Sequence, residues 1–506
     1  MNIMGTIALV TIAGSVASAA TITIENSLDQ PVANADILIG DTSPRPFANN
    51  HARTDAQGTF SVPAQWTTPQ SMTIEADGYI TTTFLHVAPQ SAIYQINAVD
   101  SVSNLAIKGA TTGFQHPGRG GKMDFALVYP ALSRRQLAQF DVNAVISPQF
   151  DKIPVMITSV SVPSNLTIPD QTQNYFFPIE FNKPNYTMFV RDPGQYKMVA
   201  IHGRFPFSQV VDELRGGKSF YDVLNKFQFV NGGERDVAVS SSGANHQNIA
   251  VNQITFDNHI TVQAPEVPDG MAMVSLPMAK ENGVYYATDL KQVSSQQTQD
   301  LAVSSQSGAH NILSLLMPKT KKVSGNIESE ISNKSPIGLD LIIDRLIHFL
   351  NPVAVNPDSQ LVEMNDSATL TGQSVAFQSS NDGLAQFLPL VAPPVLNSDG
   401  TLTLTPPDAT NGITPVATYV VLSRLDPINA GKYHLSRRYR LFEGYSMGWV
   451  SNVKIPHVLN PLQQGKTYRW EVYYLGRSGT GSSSSSSKYF LDTITHVSRN
   501  SFDFTE

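Results

Sequence analysis

The sequence has 506 residues, so at roughly 100 to 200 residues per domain it predicts about three to five domains, each with its own core. Charged residues make up only 15% of the chain, and its longest lysine cluster is KTKK at 319–322, which argues against nucleic acid or an anionic membrane as a partner. The chain contains no cysteine, which excludes disulfides, thiolate catalysis and cysteine metal sites.

The first twenty residues are uncharged and apolar, and they end in Ala17-Ser18-Ala19, the small-x-small pattern of a signal-peptidase site. We therefore expect residues 1–20 to be a secretion signal, with a buried first strand as the alternative. No later stretch has the roughly 18 continuous apolar residues that a membrane span requires. Because exported chains without disulfides are common in bacteria, we expect a bacterial periplasmic or extracellular protein.

Residues 21–100 form short runs in which apolar and polar side chains alternate. Ile22 and Ile24 are followed, after a turn, by Ile37 and Ile39. A period of two is typical of strands with one buried face. The segment is therefore predicted to be a small antiparallel β-sandwich.

Three motifs in this segment carry a family resemblance. Ala35 before an alternating strand, TDAQGTF at 54–60 and EADGY at 75–79 resemble the carboxypeptidase regulatory-like domain, a transthyretin-like sandwich found on secreted bacterial proteins. The resemblance implies a structural module without an active site. It also implies that the Asp of TDAQGTF caps a turn and that Phe60 and Tyr79 are core aromatics.

The alternation continues through the middle of the chain, which resembles no family. We predict a β-rich domain over 101–265, and a β segment with one helix and a linker over 266–388. Residues 208–227 have helical spacing broken at Gly216-Gly217, which predicts two short helices.

A second helical segment is SPIGLDLIIDRLIHFLNP, in which Ser335 can cap the helix and Pro352 can end it. It predicts an amphipathic helix over 336–350. Asp340, Asp344 and His348 would lie on one face, at the spacing of metal ligands, although a solvated polar stripe is the ordinary alternative. The polar residues 354–385 that follow are predicted to be a linker or irregular strands.

Residues 389–506 are predicted to be a further β-sandwich. LQQGKTYRWEV at 462–472 resembles the corner of a fibronectin type III domain, which implies that Tyr468 is the corner tyrosine. An early-strand tryptophan of that family is missing, and Leu402 and Leu404 would take its place. The stretch GRSGTGSSSSSSK at 476–488 is predicted to be a flexible loop.

The pentad Gly444-Tyr445-Ser446-Met447-Gly448 matches the G-x-S-x-G of an esterase nucleophile elbow. An elbow needs a helix after the serine, but a β pattern with Pro456 follows. His457 and His496 are available as bases. We therefore predict a turn between two strands rather than a nucleophile.

Two groups of residues are candidates for ligand contact. The glycine-rich segment 109–125 carries Arg119 and Lys122; it lacks the spacing of a phosphate-binding P-loop, and it predicts either a basic loop contacting an acidic ligand or partner or a plain surface loop. Tyr445 and Trp449, with Trp66, could stack on sugar rings if exposed, although such aromatics more often lie in the core.

The sequence thus predicts a mostly β protein of tandem antiparallel β-sandwiches with a few short helices, without cofactor or metal. The preferred function is non-catalytic binding of a cell-envelope or extracellular partner, which could be a surface polymer, glycan or protein. One alternative is a structural spacer. The other is a secreted hydrolase with its site within 105–325, for which the candidate residues are Asp124, Glu180, Asp192, His202, Asp212 and Glu213.

Overall fold

The computed structural model describes residues 20–26, 29–40, 51–100, 105–139, 145–147, 149–155, 158–190, 193–240, 245–308, 310–319, 338–350, 372–379, 383–408, 412–430, 433–455, 462–478 and 493–506. In these ranges the chain is mostly β, with stacked sheets and a few short helices, which confirms the predicted fold class. The proposed signal segment, apart from Ala20, the linker before residue 372, His457 and most of the loop 476–488 lie outside the described residues.

The N-terminal unit is a small sandwich of two sheets with the orders β4-β1-β7 and β3-β2-β5-β6. Its facing surfaces bury Ile22, Ile24, Ile37 and Phe60, as the alternation predicts. Its strands are β1 (Thr21–Asn26), β2 (Asp36–Ile39), β3 (His51–Arg53), β4 (Thr59–Ser61), β5 (Gln70–Glu75), β6 (Thr81–Val87) and β7 (Ala92–Ile96).

The turn before β4 is capped by the side chain of Asp55. Asp55 Oδ1 accepts hydrogen bonds from the backbone amides of Gln57 and Thr59 at 2.9 and 2.8 Å. Gly58 adopts a left-handed φ of 71°, where a Cβ would lie 2.6 Å from the carbonyl oxygen of Ile24. A glycine at this position therefore lets the turn pack against β1.

The middle unit is a second sandwich, in which a six-stranded sheet of order β13-β12-β9-β15-β16-β19 faces a sheet of order β14-β8-β17 with β18 also paired to β8. The core between them includes Ile107, Val128, Tyr186, Met198 and Val237. The strands are β8 (Leu105–Thr112), β9 (Lys122–Pro130), β10 (Phe150–Val155), β11 (Thr158–Pro163), β12 (Leu166–Asn174), β13 (Pro178–Lys183), β14 (Asn185–Val190), β15 (Gly194–Pro206), β16 (Gln228–Val239), β17 (Asn245–His246), β18 (Ile249–Ala250) and β19 (Ile254–Thr255).

The rest of the chain contributes to one long sheet of order β22-β21-β25-β26-β33-β32-β29-β30-β6-β5-β2-β3, with β23 also paired to β21. Two small sheets, β20-β24 and β27-β28-β31, accompany it. The strands are β20 (Asn258–Gln263), β21 (Met271–Glu281), β22 (Val284–Ala287), β23 (Lys291–Val293), β24 (Thr298–Val303), β25 (His310–Pro318), β26 (Gln373–Ser379), β27 (Val395–Leu396), β28 (Thr401–Thr403), β29 (Ile413–Ala430), β30 (Tyr433–Met447), β31 (Asn452–Lys454), β32 (Thr467–Ser478) and β33 (His496–Thr505).

The long sheet contains strands from three of the predicted segments, 21–100, 266–388 and 389–506. Strand β30 pairs in parallel with β6 of the N-terminal unit, in a register that sets Glu443 opposite Thr82. Strand β26 joins β25 to β33. Each of these strands would otherwise expose an unpaired edge, so the pairing joins the sandwiches through backbone hydrogen bonds.

Four helices lie in the described residues: α1 (Arg134–Gln139), α2 (Phe207–Arg215), α3 (Phe220–Leu224) and α4 (Leu339–Leu350). Helices α2 and α3 flank the Gly216-Gly217 break, and Ser219 caps α3 in a capping box with Asp222. Helix α4 begins three residues later than the predicted 336–350, after Gly338 with φ of 79°. No described helix combines the length and apolar character needed to cross a membrane.

Candidate functional site

The described residues line a partly open cavity of about 230 Å³ between the middle sandwich and the long sheet. One wall is the outer face of the six-stranded sheet, with Phe125 and Ile201 among its residues, and the opposite wall is β21 and β25, with Leu276 and Leu313. Residues of α1, α3 and α4 close the sides. This cavity was not predicted from the sequence, because its walls come from segments that are distant along the chain.

The lining is almost entirely leucine, isoleucine, phenylalanine and other apolar side chains. Its few polar groups are already paired within the protein. The hydroxyl of Tyr129 accepts from the amide of Ala287 at 3.0 Å, and Gln136 Oε1 accepts from the amide of Ser133 at 2.8 Å. Burial raises the pKa of Tyr129, so its hydroxyl stays neutral.

Asp289 is the charged residue of the lining and is buried. Its carboxylate accepts from the amides of Leu290 and Ala302, both at 2.8 Å, and lies 3.5 Å from the ammonium of Lys291. Burial outweighs these contacts and raises the pKa of Asp289 above its ordinary value. The cavity therefore has one anionic group at its margin and an otherwise hydrocarbon-like interior.

An exposed aromatic hairpin lies at one end of the six-stranded sheet. The hairpin tip, residues 175–177 between β12 and β13, carries Phe176 with 71% of its surface exposed. Its neighbour Tyr175 packs against Phe176 at 4.3 Å between ring centroids. The sequence analysis missed Phe176, although three aromatics in a row where the alternation breaks are a readable sign of a hairpin tip.

The hairpin tip is held in place by helix α2. The hydroxyl of Ser208 donates to the carbonyl of Asn174 at 2.9 Å, and Arg215 donates to the hydroxyl of Tyr175 at 3.0 Å. The same hydroxyl donates to Asp212. The guanidinium of Arg215 also lies 5.5 Å from the ring centroid of Phe176, within cation–π range. Side chains of α2 therefore hold the backbone before the tip and the ring of Tyr175 in place.

The predicted basic loop lies beside this hairpin. Gln173, near the end of β12, donates to the carbonyl of Lys122 at 3.0 Å, and the amide of Gly118 donates to Asp124 at 3.0 Å. Arg119 is exposed, and the Lys122 ammonium donates to Gln228 at 3.0 Å. The structure therefore places Arg119 and Lys122 at the same end of the sheet as Phe176.

The other two predicted contact residues do not belong to this surface. Tyr445 is 4% exposed and is stacked between Phe84 and Tyr419, at 5.3 and 4.5 Å. Trp449 packs on the C-terminal core and donates from Nε1 to the carbonyl of Leu475 at 2.9 Å. Because Phe84 and Tyr419 occupy both faces of the ring of Tyr445, neither face is free for a sugar. Trp66 is likewise buried.

Ser446 lies inside β30, with β29 on one side and β6 on the other. This corrects the prediction that the pentad is a turn, since only Gly448, with φ of 73°, turns the chain. His86 Nδ1 lies 3.4 Å from Ser446 Oγ, but strand β31 follows the turn, where an elbow has a helix. A buried serine within a sheet, 2% exposed, lacks the geometry of a hydrolase nucleophile.

Two hydrolase candidates, Asp124 and His202, do meet. Their side chains on β9 and β15 approach to 2.8 Å, and both are buried. His202 lies on the opposite face of the sheet from the cavity wall residue Ile201, with the ring of Phe114 at 4.9 Å. The pair therefore sits under the basic loop instead of lining a pocket.

The remaining candidates are dispersed. Glu180 is exposed on β13, and Glu213 forms ion pairs with Lys218 and Lys226 at 3.3 and 3.1 Å. Asp192 and the side chains of Asp344 and His348 lie outside the described residues, whereas Asp340 is buried at the start of α4. Among the described side chains, no group of three histidine or carboxylate residues is arranged to hold a metal.

In the C-terminal unit, Tyr468 is hydrogen-bonded to the backbone of Gln463. Its buried hydroxyl accepts from the amide of Gln463 at 2.7 Å and lies 3.4 Å from the carbonyl of the same residue. Leu402 and Leu404 are buried in the same core.

No family model and no curated protein match the chain. Among solved structures, it is similar to a streptococcal ancillary pilin at 9% identity, covering 58% of this chain and 88% of that one, with a TM-score of 0.13. It is similar to BcpA, the major pilin subunit of Bacillus cereus, at 9% identity, 60% and 89% coverage and a TM-score of 0.12. It is similar to a proposed adhesin from Bacteroides ovatus at 11% identity, covering 48% of this chain and 85% of that one, with a TM-score of 0.13. Scores this low establish neither a shared fold nor a shared function.

Proposed function

We propose that the protein is an exported, non-catalytic binding protein of the bacterial cell envelope or exterior. The observation that carries the proposal is Phe176, a large aromatic that is 71% exposed yet held on a braced hairpin tip. An ordered, exposed aromatic loses little conformational freedom on binding, which is why such residues often anchor interfaces. The apolar segment 1–20 supports export.

The surroundings of Phe176 support a polar partner with some negative charge. Arg215 lies beside the aromatic tip, and Arg119 and Lys122 lie at the same end of the sheet, so aromatic stacking can combine with hydrogen bonds to carboxylates or hydroxyls. Envelope glycans and surface proteins both offer this combination. The long sheet supports a scaffold role, because it joins strands of residues 21–100, 266–388 and 389–506.

The test is retention of the purified mature chain by intact cells of the producing species and by their isolated sacculi, measured by sedimentation. Phe176→Ser should reduce retention at least about tenfold. Val395→Ser, which changes another exposed apolar residue (57%), is the matched control and should leave retention unchanged. Protease treatment of the cells should abolish binding to a protein partner, and glycan digestion should abolish binding to a polymer. Equal retention of both variants would contradict the proposed contact surface.

A further inference from the structure

The space between the two cavity walls is a consequence of how the sheets are held apart. Its lining consists of large side chains such as Phe125, Leu276 and Leu313, so the void does not arise from small residues. Folded interiors are packed to crystal-like density and contain few voids larger than a water molecule. A space of about 230 Å³ bordered by full-sized side chains therefore has the character of a site.

We propose that this cavity binds the hydrocarbon chain of a lipid. An engineered apolar cavity of roughly 150 Å³ stays dry and accepts benzene, so the larger space here accommodates a longer apolar group. Walls from two sheets and three helices give an irregular surface, to which a flexible chain adapts better than a rigid ring.

The chemistry of the lining defines which part of the lipid enters. The polar groups of the lining have partners within the protein, so the occupant gains no specificity from hydrogen bonds and needs none. Asp289, the carboxylate among the lining residues, would repel a carboxylate or phosphate brought beside it. The chain therefore enters with its charged or polar headgroup remaining outside the apolar space.

The experiment uses the full mature chain with N-phenyl-1-naphthylamine, an uncharged probe whose fluorescence rises in apolar surroundings. We expect saturable binding at one site per chain and displacement by dodecan-1-ol. Leu276 and Leu313 are paired on the neighbouring strands β21 and β25 of one wall. Leu276→Phe and Leu313→Phe each add volume there and should each weaken probe binding at least about tenfold. Leu384→Phe makes the same change at a residue outside the lining, and it should bind as the wild type does.

Thermal unfolding separates a filled cavity from a misfolded chain. A filled variant should melt at or above the wild-type temperature while losing the probe, whereas a misfolded one melts below it. Non-saturable binding to the wild type overturns the proposal, and so does unchanged affinity in both filled variants. If neither variant folds, displacement of the probe from the wild type by dodecan-1-ol decides, and no displacement overturns it.

Two competition measurements distinguish the source of the hydrocarbon chain. Displacement by monomeric dodecan-1-ol alone indicates a free lipid, and displacement by phosphatidylethanolamine vesicles as well indicates a chain drawn from a membrane. Phe176→Ser serves as a further control. It should keep full probe affinity, so that failure of the surface proposal and failure of the cavity proposal give different results.

Discussion

Replacing Glu443 tests whether the N-terminal unit and the long sheet form one stable body. Glu443 is fully buried, and its carboxylate accepts from the hydroxyl of Tyr419 at 2.7 Å, from the side-chain amide Nδ2 of Asn97 at 2.8 Å and from Arg440 at 2.8 Å. Arg440 in turn forms a two-pronged ion pair with Asp100 at 2.9 and 3.0 Å. The network therefore ties residues 97–100 to β30.

Glu443→Ala should lower the free energy of unfolding by about 3–5 kcal/mol, the usual cost of removing one partner from a buried ion pair. The substitution removes the acceptor of the Tyr419 hydroxyl and of the Asn97 side-chain amide, and it removes one carboxylate partner of Arg440. Glu443→Gln keeps the volume and one acceptor oxygen, so its cost should be smaller, about 1–3 kcal/mol. Glu180→Ala, on the exposed face of β13, is the control and should stay within about 0.5 kcal/mol.

Guanidinium denaturation followed by tryptophan fluorescence gives the free energies, and hydrogen exchange with mass spectrometry locates the effect. A loss of about 3 kcal/mol corresponds to roughly a hundredfold faster exchange where opening controls exchange. Hydrogen exchange should accelerate in peptides from both β6 and β30, because each strand provides the backbone hydrogen-bond partners for the edge of the other. A cost below about 1 kcal/mol, or acceleration in β30 alone, would refute the reasoning that the network joins two units.

Three further changes have defined outcomes in the same denaturation assay. Gly109→Ala should cost about 3 kcal/mol or more, because its Cβ would lie 1.7 Å from the carbonyl oxygen of Gln247, whereas Gly308→Ala, which meets no atom within 4 Å, should be neutral. Burial lowers the pKa of His496 from 6.5 to about 4, so the unfolded chain takes up the proton first as pH falls. Stability should then decline by up to about 3 kcal/mol between pH 6.5 and 4, and His496→Gln should remove that part of the slope. Lys183→Met should cost about 3 kcal/mol, because it removes the donor to three carbonyl oxygens, those of residues 164, 166 and 185, each within 3.0 Å.

Local patterns predicted much of the fold, because they report which side of a strand is buried. The alternation of Ile22, Ile24, Ile37 and Ile39 and the glycine break before α3 both predict the correct type of element. Pairing between distant segments leaves no comparable local pattern. The local sequence predicts that Tyr445 lies on a strand but does not predict its burial. Its burial depends on the pairing of β30 with β6, more than 350 residues earlier.

The candidate site was partly predictable for the same reason. Arg119 and Lys122 stand in a glycine-rich loop, and loops between strands reach the surface, so their position at a sheet end follows from local sequence. Phe176 is more difficult, because an aromatic residue is usually core and only the break in alternation marks it as exposed. The approach of Asp124 to His202 depends on the register of β9 and β15, which hydrophobic patterning does not specify.

Ligand binding in the cavity should be visible as stability. A ligand that occupies the cavity of the folded protein and does not bind the unfolded chain stabilises the folded state by mass action. Dodecan-1-ol at about a hundred times its dissociation constant should therefore raise the free energy of unfolding by about 2.7 kcal/mol. Leu276→Phe should raise the free energy of unfolding without ligand, because the larger side chain fills part of the cavity. It should also lose the increase caused by the alcohol, because the alcohol no longer fits. An equal increase in wild type and variant would mean that the alcohol acts elsewhere on the protein.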